Sequence, residues 1–425
     1  MEVESVRRSE QAPSLRQALG APGVRRSLLA LFLAQAAATS ALTTSTSLSS
    51  ILVTQLTGTA ALSGLPATLN LVAASGSAFL AGLGMARFGR RAGLLTGYLL
   101  GAFGAAVGCL FALAGNVPGF LLGSVLVGAA QAVILQGRYA AADLVPAAVR
   151  GRVVGLILFG AVVGAVVAAL LTPLLQSVAS SLRVPAIELG WGQSALLLAV
   201  GAMLVLALFR NPRQEVSAAR QARVGLGQFL ATMARPEIRL GVVNLVLGQA
   251  VMVMLMNLFP IHALHHGSGL STISAIISVH VAGMFSLAWL TGGLVDRFGA
   301  WAISTAGGVM LFAGALTSAL ETAAVGLAVA LFLIGLGWNL CFVAGSALLA
   351  KHLAPSMRTS FQGSADVLVW LCAGGSTLGG GYLVGVYDYP AVGVLGGLAA
   401  VALLLLVAYT WVRIRPPAGR GLAPD

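Results

Sequence analysis

Charge is what this sequence has least of. Asp, Glu, Lys and Arg together make up 8% of its 425 residues, and only 12 residues are acidic. A soluble chain of this length needs a polar shell, so 58% hydrophobic residues exclude a water-soluble globular protein and leave a polytopic membrane protein. Cysteine is also scarce: Cys109, Cys341 and Cys372 lie inside apolar runs without any metal-ligand spacing, which excludes a disulfide framework and makes them small packing residues. No HExxH pattern and no nucleophile with a base stands at membrane depth, so an integral-membrane enzyme is not expected. The tails are short and carry no recognisable signalling domain, which argues against a membrane sensor.

What fills the chain instead is apolar runs. A membrane helix needs about 20 apolar residues, and 12 such runs begin near Ser27, Leu62, Leu94, Gly119, Val153, Leu189, Leu240, Gly269, Trp301, Gly326, Gly363 and Ala391. One long polar and basic connection, 210–239, parts them into six and six. The expected fold is an all-α integral membrane protein with twelve transmembrane helices in two six-helix bundles. Its parts are an N-terminal tail 1–26, a bundle 27–209, a linker 210–239, a bundle 240–412 and a tail 413–425. Glycine, 54 residues of it, recurs through the runs and lets helices approach closely, which suits a moving machine and a tightly packed bundle equally.

A net charge of +12 invites a nucleic-acid reading, which the distribution rejects. With the N-terminus in the cytoplasm, every Lys and Arg except Arg183 falls at a cytoplasmic end or loop, the positive-inside bias of short membrane loops. Both termini are therefore expected in the cytoplasm. The charged first 26 residues lack a signal peptide's apolar core and cleavage site, so the first run is expected to be retained.

Against that scarcity, "GLGMARFGRRAG" (82–93) is rich in arginine. It has a second copy, "GGLVDRFGA", so that Gly82, Arg87, Phe88 and Gly89 match Gly292, Arg297, Phe298 and Gly299 at an offset of 210. A further echo pairs 138–155 with 346–363, Pro146 matching Pro355 and Arg150 matching Arg358. The chain is an internal duplication with the same topology in each half. In these features it resembles the major facilitator superfamily, whose loop between helices 2 and 3 carries G-x-L-x-D-R-x-G-R-[KR], echoed between helices 8 and 9. The resemblance covers the whole chain and implies a transporter that opens alternately to the two sides of a bacterial-type plasma membrane. Ala86 stands where the family has Asp, while Arg87, Arg90 and Arg91 match its basic positions. The second copy keeps Asp296 and Arg297 but has Ala300 and Trp301 next. Ser124 stands at the family's frequent helix-4 arginine, and the drug/proton antiporters' Gly-Pro-Gly-Gly is absent from the fifth run.

Surplus arginines in such a turn can hydrogen-bond carbonyls at neighbouring helix C-termini and pair carboxylates across the two halves, forming a latch; alternatively they only set topology. Arg138, Asp143, Arg150, Arg358 and Asp366 join the motif residues as gating candidates. Arg138 with Asp366 would close an inner gate, the alternative being that Arg138 snorkels and Asp366 caps its helix.

Asp366 is the acidic residue that follows a helix start, and His280 sits mid-run; His280 is either functional or a neutral histidine bonded to a backbone carbonyl. A carboxylate proton relay is poorly supported. The expected cavity lining is polar but uncharged: Gln35, Thr43, Asn70, Gln131, Gln136, Asn244, Gln249, Asn257, Trp338, Asn339 and Trp370 join His280. Serines and threonines can equally bond their own helix backbone. Met252, Met254 and Met256 precede His262, His265 and His266, but methionines two apart face different ways, so no metal site is expected. The expectation is a monomeric secondary transporter for a small neutral or amphiphilic organic solute, without cofactor, metal or nucleic acid. Export is favoured; uptake of a metabolite or nutrient is the alternative, with a metal or metal-chelate carrier or a sensor behind it.

Overall fold

Inside lipid a backbone satisfies its N–H and C=O groups by forming helices or a closed barrel. A computed structural model describes residues 22–146, 149–210, 225–354 and 357–414, and among them there are helices and no strands. In chain order these are α1 Pro22–Thr57, α2 Leu65–Leu113, α3 Val117–Ile134, α4 Gly137–Ala142, α5 Arg150–Leu182, α6 Ala186–Leu208 and α7 Leu226–Met233. They continue with α8 Pro236–His265, α9 Leu270–Phe285, α10 Ala288–Leu320, α11 Ala324–His352, α12 Arg358–Tyr387 and α13 Tyr389–Ile414. The expected tails up to 21 and beyond 414, and linker residues 211–224, lie outside the described residues. The chain divides into two units, Met1–Gly58 with Leu69–Ser217, and Thr59–Thr68 with Ala218–Asp425.

At about 1.5 Å per residue, the 49 residues of α2 would run more than twice the thickness of a bilayer core. They do not run straight, because Gly89 breaks them with φ 87° and ψ 161°. Before the break, contacts ascend along α3: Asn70 Nδ2 reaches the Ser124 carbonyl at 3.5 Å, and Ser77 Oγ donates to the Ala129 carbonyl at 2.8 Å. After it they descend, with Gly97 against Val133, Gly101 against Ala130, Gly104 against Leu126 and Gly108 against Gly123. The chain therefore reverses at one residue, and α2 is two antiparallel passes.

The second unit repeats this. Contacts ascend along α11 from the His280 ring, 2.7 Å from the Leu331 carbonyl, to Thr291 Oγ1, which donates to Asn339 Oδ1 at 2.6 Å. Beyond Gly299 (φ 81°, ψ 154°) they descend, Gly307 meeting Cys341 and Gly314 meeting Ile334. α9, too short to span alone, is thus continued by 288–298 as one interrupted pass. With α4 extending α3, the described residues make twelve passes: 22–57, 65–88, 90–113, 117–142, 150–182, 186–208, 236–265, 270–298, 300–320, 324–352, 358–387 and 389–414.

Each unit has its own core. In the first, Ala30, Ala34, Ala38 and Ala41 form a fully buried small-residue stripe at spacings of four, four and three, and Ser194 Oγ donates to the Ala41 carbonyl at 2.8 Å. Phe120 and Trp191 meet edge to face at 5.0 Å. In the second, α8 is buried along most of its length, and Tyr389 Oη donates to the Leu255 carbonyl at 3.2 Å. Two boundaries differ from expectation. The second bundle begins before Leu240: α8 starts at Pro236, and α7 lies inside the expected linker because Phe229 stacks on Phe361 at 4.6 Å. α12 starts at Arg358 rather than near Gly363, which puts Asp366 two turns inside the helix, too deep to cap it.

Candidate functional site

The two motif copies have one conformation. Arg87 lies over the Phe88 ring at 5.4 Å and Arg297 over Phe298 at 5.2 Å, each just before the glycine that turns the chain. A positive φ with extended ψ is open to glycine and strained for any side chain, so the shared Arg-Phe-Gly is a turn specification as well as a charge. In the first copy Arg90 Nε pairs with Asp143 Oδ2 at 3.0 Å, and Arg91 donates to the Leu206 carbonyl in the last turn of α6. Arg26 supports the same helix end, reaching the Ala207 carbonyl at 3.2 Å. Both contacts put an arginine donor on a carbonyl at a helix C-terminus. The carboxylate that Arg90 meets, Asp143, belongs to the same unit, because the end of α4 lies beside the α2 turn. Asp296 and Arg297 are exposed.

The Arg90–Asp143 pair is 23% and 39% exposed. Solvent screening therefore keeps it weak, and a double-mutant cycle with Arg90→Ala and Asp143→Ala should give a coupling of about 0.2–1 kcal/mol in thermal unfolding. A coupling above about 2 kcal/mol would mean the pair is shielded.

Arg138 stacks on the neighbouring Tyr139 ring at 4.9 Å, Arg150 Nε approaches the Val145 carbonyl at 3.4 Å, and Asp366 is exposed. The side-chain surroundings of Gly82 and Arg358 lie outside the described residues.

The uncharged candidates split into two groups. Several are consumed by packing. Gln35 Nε2 donates to Thr39 Oγ1 at 3.1 Å; Thr43 is buried and its carbonyl accepts from Thr46 and Ser47. Along α1 the hydroxyls turn back on their own helix, as when Thr44 donates to Ser40 and Thr54 to Ser50. A run of hydroxyls that reads as a lumen lining is therefore largely self-satisfied. Asn70 lies where Gly128 lets α3 approach; Asn244 Nδ2 donates to the Leu240 carbonyl at 3.0 Å; Asn257 is buried. Asn339 ties α11 to the Met284 carbonyl at 2.8 Å, and His280 is wholly buried with Nδ1 on the Leu331 carbonyl.

The second group is less enclosed: Gln131, Gln136, Trp338 and Trp370 are half-buried, and Gln249, itself buried, is joined to Trp338. The Trp338 indole Nε1 donates to Gln249 Oε1 at 2.7 Å. Phe342, one turn on, stacks on Trp338 at 5.2 Å and 21°, and Phe285 of α9 meets it edge-on at 5.8 Å. Neither phenylalanine was a sequence candidate; the four-residue spacing of Trp338 and Phe342 was the available signal. In the C-terminal half of α8, Met252 and Met254 are buried, and His262 stacks on Tyr389 at 4.7 Å with Nε2 3.3 Å from the Glu321 carbonyl. Among the described residues no three His, Cys, Asp or Glu gather as a metal site.

Twelve apolar passes, with a matching one-residue turn after the second and the eighth, define an integral-membrane transporter of the duplicated-bundle class. The family model described as Major Facilitator Superfamily matches residues 28–379, and the chain belongs to that superfamily. It is 31% identical over 379 residues to the uncharacterized MFS-type transporter YddS of Bacillus subtilis (strain 168), covering 87% of each chain. It is 30% identical to the riboflavin transporter RfnT of Brucella anthropi, covering 82% of this chain and 87% of that one. In fold it is similar to the crystal structure of the nucleoside transporter NupG, with TM-score 0.67 at 16% identity over 92% of this chain and 99% of the other. The protein is a secondary membrane transporter and not an enzyme.

Proposed function

We propose that this transporter moves a small uncharged or amphiphilic organic solute by alternating access, out of a bacterial-type cell, as a monomer with both termini cytoplasmic and 27–209 and 240–412 as its moving bundles. The observation that carries the reading is the Gln249–Trp338 pair, an amide bonded to an indole midway along α8 and α11. Polar groups at that depth are costly unless they are paired or used, and with the indole N–H spent on Gln249 Oε1 the pair offers the Gln249 Nε2 donor and the Trp338 ring without fixed charge. The described carboxylates keep to helix ends and turns, as with Glu188, Glu237, Glu321 and Asp388, apart from Asp366. Riboflavin, the solute named for RfnT, is itself uncharged and amphiphilic, and so lies within the proposed class.

The purified protein in proteoliposomes tests this with a panel of labelled solutes: riboflavin and other uncharged heterocycles, uncharged polyols, a dicarboxylate and an organic cation. Saturable counterflow is expected for uncharged or amphiphilic members. Counterflow confined to the dicarboxylate or the cation would overturn the reading.

A further inference from the structure

We infer that Trp338 and Phe342 form a stacking wall for a planar heteroaromatic ring, with the Gln249 amide as its hydrogen-bonding edge. This rests on the uncharged-solute reading and narrows it to a class of ring. α11 packs on α10 through Ile334, Gly337 and Cys341. Trp338 and Phe342 lie on another side, bounded by α8 through Gln249 and by α9 through Phe285. Phe342 is 39% exposed, and Trp338 and Phe285 are half-buried, so ring faces are left uncovered.

Lipid is a poor occupant for this surface. The chain presents ordinary lipid-type surface elsewhere on α11, where exposed Val325 and Val329 join Val279, Ala324, Ala328 and Phe332 around an apolar depression. Interfacial tryptophans belong near helix ends, which is where Trp301 and Trp411 meet at 5.9 Å. Trp338 is instead the middle residue of α11. The bond to Gln249 locks the indole plane, and Phe285 holds it edge-on, so the stacking face is set before any ring arrives. Pre-set ring surface with one amide edge recognises flat heterocycles with carbonyl or ring-nitrogen groups. A flexible polyol offers nothing to stack.

Riboflavin and its ring-less side-chain alcohol ribitol are the probes, titrated against the full chain in nanodiscs by flavin fluorescence. Wild type is expected to bind riboflavin, with ribitol failing to displace it. Phe342→Leu and Trp338→Leu should each weaken binding about tenfold or more, with Trp338→Phe in between. Because Phe342 is partly exposed, Phe342→Leu should keep the wild-type melting temperature, and it decides the matter if Trp338→Leu fails to fold. Equal riboflavin affinity in wild type and Phe342→Leu, or displacement by ribitol, would overturn the inference. So would counterflow of uncharged polyols without riboflavin binding, a result that leaves the uncharged-solute reading standing. Counterflow of charged solutes alone would instead remove that reading and the wall together.

Discussion

Gly89→Ala and Gly299→Ala are each expected to destabilise the protein by about 1–3 kcal/mol, read as a drop of several degrees in the melting temperature in detergent. The cause is backbone alone at Gly299: an added methyl would meet nothing within 4 Å, yet φ 81° with ψ 154° is closed to alanine without strain. Gly76→Ala and Gly293→Ala are the controls. Both glycines are helical and open, so alanine should be neutral or stabilise by up to about 1 kcal/mol. Motif variants that behave like the controls would mean that Arg-Phe-Gly carries charge and not a turn.

The same residues show how far a sequence of this kind can be read. Lipid permits few backbone solutions, so run lengths disclose the passes, and two copies of Arg-Phe-Gly disclose the repeat. What stayed hidden was tertiary. Asp143 meets Arg90 across 53 positions of sequence, and nothing local marks the pair as internal to one unit. Phe229 sits in a polar stretch, so the helix it anchors looked like linker. The hydroxyls of α1 have one composition whether they face a solute or their own carbonyls, and only the folded arrangement separates the two. Asp366 appeared to follow a helix start because the charged turn at Arg358 masked the true one.

His280→Ala should be the most damaging of the candidate-site substitutions, costing about 2–4 kcal/mol. Its ring is wholly buried, its Nδ1 lies on the Leu331 carbonyl at 2.7 Å, and Gly335 packs on its backbone. Truncation leaves a cavity and takes from the Leu331 carbonyl the bond it makes beside its own helix bond. A packing role predicts that the flux of the molecules that remain folded, and the pH profile of that flux, match wild type. A His280→Gln protein with normal melting temperature and a displaced pH profile would instead make the imidazole part of transport.

The central claim is an uncharged solute carried without an intramembrane carboxylate relay, and the most direct measurement is riboflavin flux down its own gradient in proteoliposomes, with and without a protonophore. The account predicts saturable flux whose initial rate is unchanged when the proton gradient is dissipated, in wild type and in His280→Gln alike. Flux that requires the gradient, and still requires it in His280→Gln, would contradict the account and move proton coupling to Asp366.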